Sequence, residues 1–222
     1  MAIIIYGSNL SPFVRKVRVA LAEKGIAYEL DQINPFAPPP EFLAISPLKR
    51  IPVMRDTDLS GHNTLPDSSI IIDYLEHKFP KPALYPADAF QRGSALWFEE
   101  YADSIVAQTV GGGLFFERVV KKLMRRETDE ALCQKTLSET LPPLLTYLER
   151  EIGDRAFLVG DAFSIADISV ASMFVNFLHA GETLDAAAWP QLTRYLRQIH
   201  DRPSFAPLIA EEDKIVQRVR AA

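Results

Sequence analysis

Hydrophobic and polar positions in the first 80 residues form short patterns that change type from one segment to the next. Residues 3–6 are apolar without a break, which is typical of a buried strand, whereas residues 12–24 place apolar side chains at helical spacing. The following segments are predicted, in chain order, as a strand at 28–33, a short helix at 41–45, two paired strands at 53–55 and 63–65, and a helix at 68–78. The predicted order of elements is βαβαββα.

The helix at 12–24 has clear signals at both ends. Ser11 suits the N-cap and Pro12 suits the first turn, while Lys24 and Gly25 supply a cation and a glycine at the C-terminal end. Opposite the apolar stripe lie the charged side chains that we expect to face solvent, namely Arg15, Lys16, Arg18 and Glu23.

From residue 89 onwards the periodicity is helical throughout. Helices are predicted at 89–121, 129–152, 165–179, 189–201 and 204–218. Ser164 and Asp167 have the spacing of a capping box, so we interpret both as structural rather than catalytic residues. Residues 81–88 belong to a proline-rich stretch that predicts a linker between a domain at 1–80 and a helical domain at 89–222.

Composition excludes several classes of function. The chain has 222 residues and a formal net charge of −5, which argues against binding to a nucleic-acid backbone. It holds one cysteine, Cys133, which excludes an internal disulfide, a CxxC redox pair and a cysteine-rich zinc site. The four histidines lack the spacing of metal ligands, so we expect no metal. No signal segment or membrane span is recognisable, so we expect a cytoplasmic protein without a membrane partner.

Three segments carry candidate chemistry, and each has a simpler structural explanation when taken alone. Residues 8–16 place the hydroxyl of Ser11 at a helix N-terminus, a position that favours an anion but that a capping serine also occupies. Pro52 stands at the start of a strand, and Asp67 and Ser68 stand at the start of a helix, where both suit a cap.

Taken together and in this order, the three segments resemble the glutathione S-transferase family, in particular its serine-type members of bacterial or tau- and zeta-like cytosolic classes. The resemblance covers essentially the whole chain and rests on the motifs at 11–18, 20–26, 50–53, 67–70 and 163–167. It implies an α+β, thioredoxin-like N-terminal domain that binds glutathione. It also implies an all-α C-terminal domain that supplies most of the pocket for the acceptor substrate.

The resemblance implies that Ser11 is the catalytic serine. Glutathione attacks as a thiolate, but a free thiol has a pKa near 8.5. A hydrogen bond from a hydroxyl to the charged sulfur, together with a helix N-terminus, contributes at most about 2–4 kcal/mol. This free energy lowers the thiol pKa by roughly 1.5–3 units, so Ser11 would act as a hydrogen-bond donor rather than as a nucleophile or base.

The same resemblance implies a set of glutathione-binding residues. Ile51 and Pro52 match the loop in which a cis-proline lets the backbone pair with the cysteine of glutathione. Asp67 matches the acid that meets the α-amino group, and Ser68 matches the residue that meets the α-carboxylate. Arg50 matches a basic position that contacts the glycyl end.

Two positions depart from the family pattern. Ala37 stands where some serine-type members carry a lysine that reaches the glycyl carboxylate, so the glycyl end depends on Arg50 or binds more weakly. Asp67 stands where many members have glutamate, which shortens the reach of the acid by one methylene group. Neither change forbids binding.

The acceptor pocket is also implied by the resemblance, in which the helix containing 111–113 lines the cleft. The residues expected to line this pocket are Leu10, Tyr101, Ile105, Thr109, Gly112 and Phe116. Ordinary core packing at helical spacing is the alternative for any one of them. The glycine run at 111–113 allows either a structural role, as a kink, a break or a close helix contact, or space for the acceptor.

The function implied by these residues is transfer of glutathione, as co-substrate, to a hydrophobic electrophile in detoxification. A glutathione-dependent isomerase, dehalogenase or peroxidase would use the same thiolate and stays open. A non-enzymatic interaction protein built on the same fold is the alternative from another class. The resemblance also implies a homodimer, and the sequence does not identify the physiological acceptor.

Overall fold

The computed structural model describes residues 3–221, which divide into two compact units with the boundary between Leu84 and Tyr85. The N-terminal unit contains four strands and three helices. In chain order these are β1 (Ile3–Gly7), α1 (Pro12–Glu23), β2 (Tyr28–Gln32), α2 (Pro40–Ile45), β3 (Val53–Asp56), β4 (Thr64–Pro66) and α3 (Ser68–Lys78). The predicted order βαβαββα is confirmed.

The strands form one mixed sheet in the order β2-β1-β3-β4. β1 is parallel to β2 and antiparallel to β3, and β3 is antiparallel to β4. Tyr6 near the end of β1 pairs with Val53 at the start of β3, and Val53 pairs with Pro66 at the end of β4. The loops that follow β1, precede β3 and follow β4 therefore emerge at the same edge of the sheet.

The prediction that the cations of α1 face solvent is wrong for three of them. Arg15 and Lys16 are fully buried and Arg18 is nearly so. A buried cation must be paired, and all three have partners. Arg18 donates from Nε to the hydroxyl of Tyr28 at 2.7 Å. The amphipathic pattern locates the apolar stripe of a helix, but it does not reveal how much of the remaining surface the rest of the chain covers.

Lys24, the cation predicted at the C-terminal end of α1, is the C-cap of that helix and is also buried. Its ammonium donates to Glu76 Oε2 at 2.6 Å, to the carbonyl of Phe79 at 2.7 Å and to the carbonyl of Pro82 at 2.9 Å. These three bonds tie the end of α1 to the end of α3 and to the segment that follows it.

Helices account for the C-terminal unit. In chain order they are α4 (Ala89–Tyr101), α5 (Lys121–Leu123), α6 (Glu130–Lys135), α7 (Leu141–Ile152), α8 (Ile165–His179), α9 (Pro190–His200) and α10 (Ala206–Ala221). Each predicted helix is present in this unit. Within residues 3–221, no helix combines the length and apolar character needed to cross a bilayer.

Two stretches of the predicted helices have π-type hydrogen bonding. They are residues Ala102–Val120, which continue α4 into α5, and residues Thr136–Thr140, which join α6 to α7. In each, a backbone N–H donates to the carbonyl five residues earlier, as Lys121 does to Phe116. Apolar spacing of three and four residues does not distinguish this wider turn from an α-helix, so the sequence pattern missed it.

The three glycines at 111–113 do not share one role. A Cβ at Gly113 would lie 2.6 Å from Oγ1 of Thr136, whereas one at Gly111 or Gly112 would meet open space. Close packing against Thr136 therefore explains Gly113. Gly112 is exposed, which leaves room beside the helix at that position.

The capping box predicted at the start of α8 is confirmed. The Asp167 carboxylate accepts from the backbone N–H of Ser164 at 2.9 Å, from that of Leu158 at 2.9 Å and from the hydroxyl of Tyr195 at 2.9 Å. Burial raises the pKa of Asp167 to about 6, and these hydrogen bonds offset part of that effect. The residue joins three segments of the helical unit, which fits its structural interpretation.

Candidate active site

Ser11 lies in the loop between β1 and α1 and is the N-cap of α1. The backbone N–H of Val14 donates to its Oγ at 3.4 Å, and its own backbone N–H donates to the carbonyl of Ser8 at 3.0 Å. The hydroxyl is half-buried, and no residue in 3–221 accepts its hydrogen. Ser11 can therefore cap the helix and still donate a hydrogen bond to a ligand atom.

Asn9 holds this loop in place, although the sequence did not single it out. Its Oδ1 accepts from Nη1 of Arg18 at 3.2 Å and from Nε2 of Gln32 at 2.8 Å, so it ties the loop to α1 and to the end of β2. An asparagine next to a helix start is common in turns, and only its burial distinguishes this one.

The loop that precedes β3 connects α2 to the peptide bond between Ile51 and Pro52, which is cis. It is fixed at its start by Ser46, whose Oγ donates to the carbonyl of Arg50 at 2.7 Å and accepts from the N–H of Arg50 at 3.0 Å. Lys49 and Arg50 are both exposed, and no side-chain partner of either is found within residues 3–221. The loop thus presents two cations beside a buried proline.

Asp67 forms a strained corner between β4 and α3. Its φ of 77° lies in the region that favours glycine, and a non-glycine residue there costs of the order of 1–3 kcal/mol. Its backbone N–H donates to the carbonyl of Pro52 at 3.2 Å, and its Oδ1 accepts from the N–H of Ser69 at 2.9 Å. The second carboxylate oxygen has no partner in the described part of the chain, and the side chain is exposed.

Ser68 follows as the first residue of α3 and is buried. Backbone N–H groups in the first turn of a helix have no intrahelical acceptor and favour an anion. The corner therefore offers an exposed carboxylate and, next to it, an anion-binding helix start. That pair is complementary to the amino and carboxylate groups of an amino-acid end.

The residues predicted for the acceptor pocket lie in different environments. In the N-terminal unit Leu10 is buried, and in the C-terminal unit Thr109 is buried, Phe116 is half-buried, and Ile105 and Gly112 are exposed. Tyr101 packs its ring on that of Tyr147, with centroids 4.9 Å apart. Burial, reinforced by the nearby phenol of Tyr147, raises the pKa of Tyr101 to about 12, so this phenol stays protonated at neutral pH.

The lone cysteine does not have the properties of a catalytic thiol. Cys133 is fully buried, and burial raises the pKa of its thiol, which is the opposite of an activated nucleophile. Among the described residues, no cluster of three or more histidine, cysteine or acidic side chains could hold a metal ion.

Comparison with known proteins identifies the family. Residues 5–83 match the N-terminal domain model of glutathione S-transferases, and residues 115–212 match the C-terminal domain model. The chain belongs to the glutathione S-transferase family.

Relatives in this family have different names and descriptions. Glutathione S-transferase U26 of Arabidopsis thaliana is 26% identical over 94% of this chain and 90% of its own length. FtsZ-localized protein A of Caulobacter vibrioides is 26% identical over 91% of this chain and 88% of its own length. The chain is thus similar both to a protein named for a reaction and to a protein named for a location.

Two solved structures are similar along nearly the whole chain. A glutathione S-transferase from Rhodospirillum rubrum F11 is 30% identical with a TM-score of 0.85, and covers 93% of this chain and 91% of its own. A glutathione S-transferase from Methylobacterium radiotolerans, solved with glutathione sulfonate, is 30% identical with a TM-score of 0.77, and covers 94% of this chain and 95% of its own.

Proposed function

We propose that this protein is a glutathione transferase that stabilises the thiolate of glutathione and directs it to a hydrophobic electrophile. The observation that carries the proposal is the strained corner at Asp67. A non-glycine residue is held there at positive φ, with its carboxylate exposed and its backbone N–H bonded to Pro52. Strain of this kind concentrates at ligand sites, because elsewhere a glycine would relieve it.

Each part of glutathione has a residue of matching chemistry. The open carboxylate oxygen of Asp67 suits the α-amino group, and the N–H and hydroxyl of Ser68 suit the α-carboxylate. The backbone at Ile51 and Pro52 suits the cysteinyl unit, and the exposed guanidinium of Arg50 suits the glycyl carboxylate. The relative from Methylobacterium radiotolerans, solved with glutathione sulfonate, supports a ligand of this class.

Ser11 would supply the chemistry at sulfur. Its hydroxyl hydrogen has no acceptor in residues 3–221, and it stands at the positive end of α1. A donor placed there stabilises the charged thiolate relative to the neutral thiol. The thiolate can then attack an electrophilic carbon and expel a leaving group, or open an epoxide, and the sulfur–carbon bond replaces the bond that breaks.

For the acceptor, the contacts best supported in the C-terminal unit are Ile105 and Gly112. Both are exposed, and Gly112 has open space where a Cβ would stand. Ile105 would provide apolar surface and Gly112 would leave space beside it. A pocket of this kind selects ligands by shape, which suits electrophiles of several kinds.

The deciding experiment is calorimetric titration of glutathione, followed by single-turnover assays with aryl halides, epoxides, isothiocyanates and organic peroxides. We expect glutathione binding and conjugate formation with at least one electrophile. Product analysis separates conjugation from glutathione-dependent isomerisation, dehalogenation or peroxide reduction. Absence of glutathione binding at millimolar concentration would contradict the proposal.

A role as an interaction protein is the second candidate, favoured by the similarity to FtsZ-localized protein A. The presence of Ser11, Pro52, Asp67 and Ser68 together supports a working glutathione site instead, since an interaction module has less need of all four. The same titration discriminates the two functions.

We further infer that two copies form a homodimer in the cytoplasm, the compartment in which the glutathione pool keeps thiols reduced. The support is an exposed aromatic face on α4. Phe90 is 84% exposed and Trp97 is 52% exposed, and both line a groove of about 360 Å³ with Tyr147. Aromatic side chains this exposed are typical of contact surfaces.

A further inference from the structure

Ser46 makes two hydrogen bonds to the same residue four positions ahead. Its Oγ accepts from the N–H of Arg50 at 3.0 Å and donates to the carbonyl of Arg50 at 2.7 Å. Both peptide groups of Arg50 are therefore held by one hydroxyl. Ser46 is only 1% exposed, so this hydroxyl exchanges little with water.

The loop between Ser46 and Arg50 contains a second residue with positive φ, Lys49, in addition to Asp67. The N–H of Lys49 donates to the carbonyl of Ser46 at 2.9 Å, and Lys49 has a φ of 56°. A lysine in this region of φ is uncommon and is retained where the surrounding contacts enforce it. The bonds from Ser46 are such contacts.

Ser46 and the two peptide groups of Arg50 that it bonds form a clamp that is anchored in the core of the N-terminal unit. Ser46 is the C-cap of α2, and its backbone N–H donates to the carbonyl of Phe42 at 2.9 Å. Phe42 belongs to a buried cluster with Ile33 and Val53, against which Ile51 also packs. The clamp therefore connects the exposed Arg50 to the core of the N-terminal unit.

We propose that Ser46 is a positioning residue that aims Arg50 at the glycyl carboxylate of glutathione; this inference rests on the proposed function. Without the hydroxyl, the exposed loop would sample other backbone conformations, and the long arginine side chain would reach the carboxylate in only a fraction of them. Because position 37 is alanine, no cation there compensates. The effect is on binding of the glycyl end and not on the thiolate.

The test compares glutathione with γ-glutamylcysteine, which has the same thiol and the same γ-glutamyl group but no glycine. Calorimetry gives the Kd of each thiol for the wild type, Ser46→Ala, Arg50→Ala and the double variant. We expect Ser46→Ala to weaken glutathione binding about five- to tenfold, the scale of one lost hydrogen bond, and to change γ-glutamylcysteine binding by less than about twofold. We expect the double variant to bind glutathione about as Arg50→Ala does, because both substitutions remove the same contact, the one between Arg50 and the glycyl carboxylate.

Kinetics and a matched variant separate positioning from general damage. Ser46→Ala should raise KM for glutathione more than it lowers kcat, and the pH dependence of kcat should stay unchanged. Ser46→Thr keeps the hydroxyl and should recover most of the affinity. If threonine does not fit the buried site, which a lower Tm would show, the comparison of the two thiols still decides.

The outcomes are distinguishable. Equal losses for the two thiols, or additive losses in the double variant, would overturn the role of Ser46 and leave the proposed function standing. If the wild type binds glutathione and γ-glutamylcysteine with the same affinity, the glycyl carboxylate contributes nothing to binding. That result would also overturn the role of Ser46 and leave the proposed function standing. A wild type that binds neither thiol would overturn the proposed function, and this inference with it.

Discussion

The backbone N–H of Asp67 donates to the carbonyl oxygen of Pro52 at 3.2 Å, which fastens the start of α3 to the loop before β3. Asp67 has a φ of 77°, so the bond holds an acidic residue in a conformation suited to glycine. Because β1 pairs with β3 through Tyr6 and Val53, the loop with Ser11 emerges at the same edge. The candidate site thus depends on sheet register as well as on its own residues.

The charge of Asp67 is expected to serve binding rather than folding. Asp67→Asn retains an oxygen for the cap but removes the charge that would meet the α-amino group of glutathione. We expect the Kd for glutathione to rise about 10- to 100-fold, the scale of a hydrogen bond to a charged group, and the Tm to change little. Asp73→Asn, in the helix that Asp67 caps, is the control. Equal binding by Asp67→Asn and wild type would contradict the assignment.

Ser11 is expected to set the pKa of the bound thiol. Ser11→Ala removes a donor worth about 1.5–3 kcal/mol to a charged acceptor, so the thiol pKa in the complex should rise by about one to two units. The thiolate absorbance and the pH profile of kcat would both shift to higher pH, with a small change in Kd. Ser8→Ala in the same loop is the matched control. A shift in Ser8→Ala alone would move the catalytic role to Ser8.

Asp167 is expected to make stability depend on pH. Its pKa is raised from 3.8 to about 6 by burial, so between these two pH values the folded state holds a proton that the unfolded state has released. The associated stability is fully present below about pH 4 and is lost as the pH rises through 6, a loss of roughly 3 kcal/mol. Asp167→Asn lacks this titration and replaces one of the two acceptor oxygens with an NH2 group, which cannot accept from Ser164, Leu158 or Tyr195, so it should be less stable than the wild type.

The measurement is urea unfolding of wild type and Asp167→Asn between pH 4 and pH 7.5. We expect the difference in unfolding free energy between them to narrow as the pH rises. A difference that stays constant across this range would show that Asp167 does not titrate within it.

Gly113 and Gly112 offer a matched pair of substitutions. Gly113→Ala would place a Cβ 2.6 Å from Thr136 Oγ1, so we expect a loss of about 1–3 kcal/mol from overpacking. Gly112→Ala meets open space, so we expect a neutral effect or a gain of up to about 1 kcal/mol from helix propensity. Thermal unfolding of both variants checks the prediction. Similar Tm values would mean that Thr136 moves aside.

The aromatic face on α4 is expected to form the contact between two copies. Trp97→Glu places a charge in that face, so the protein should become monomeric in light scattering coupled to size-exclusion chromatography. Leu123 is 51% exposed on α5, close to the 52% exposure of Trp97, so Leu123→Glu is the control and should not alter the mass. A wild type that is monomeric at micromolar concentration would contradict the dimer.

Local chemistry made most of the element order predictable from sequence. The helix at 12–24 was recognisable from its serine and proline at the start, and the helix at 165–179 from its capping box, because these signals lie within a few residues of the feature they specify. The paired strands at 53–55 and 63–65 were predictable from the polar turn between them. The wider turns between 102 and 120 were not, since spacing alone does not reveal the hydrogen-bonding partner.

Ser11 and Asp67 were recognisable as helix caps from the sequence by itself, and their order along the chain indicated the family. What only the tertiary structure decided is how they are held: Asp67 by the carbonyl of Pro52, and the Arg50 loop by the hydroxyl of Ser46. Only the tertiary structure shows, likewise, that Arg15 and Lys16 are buried and that Gly113 packs tightly against Thr136. These features depend on contacts made when the chain folds, and a local pattern of hydrophobic and polar residues contains no information on which partner will be present.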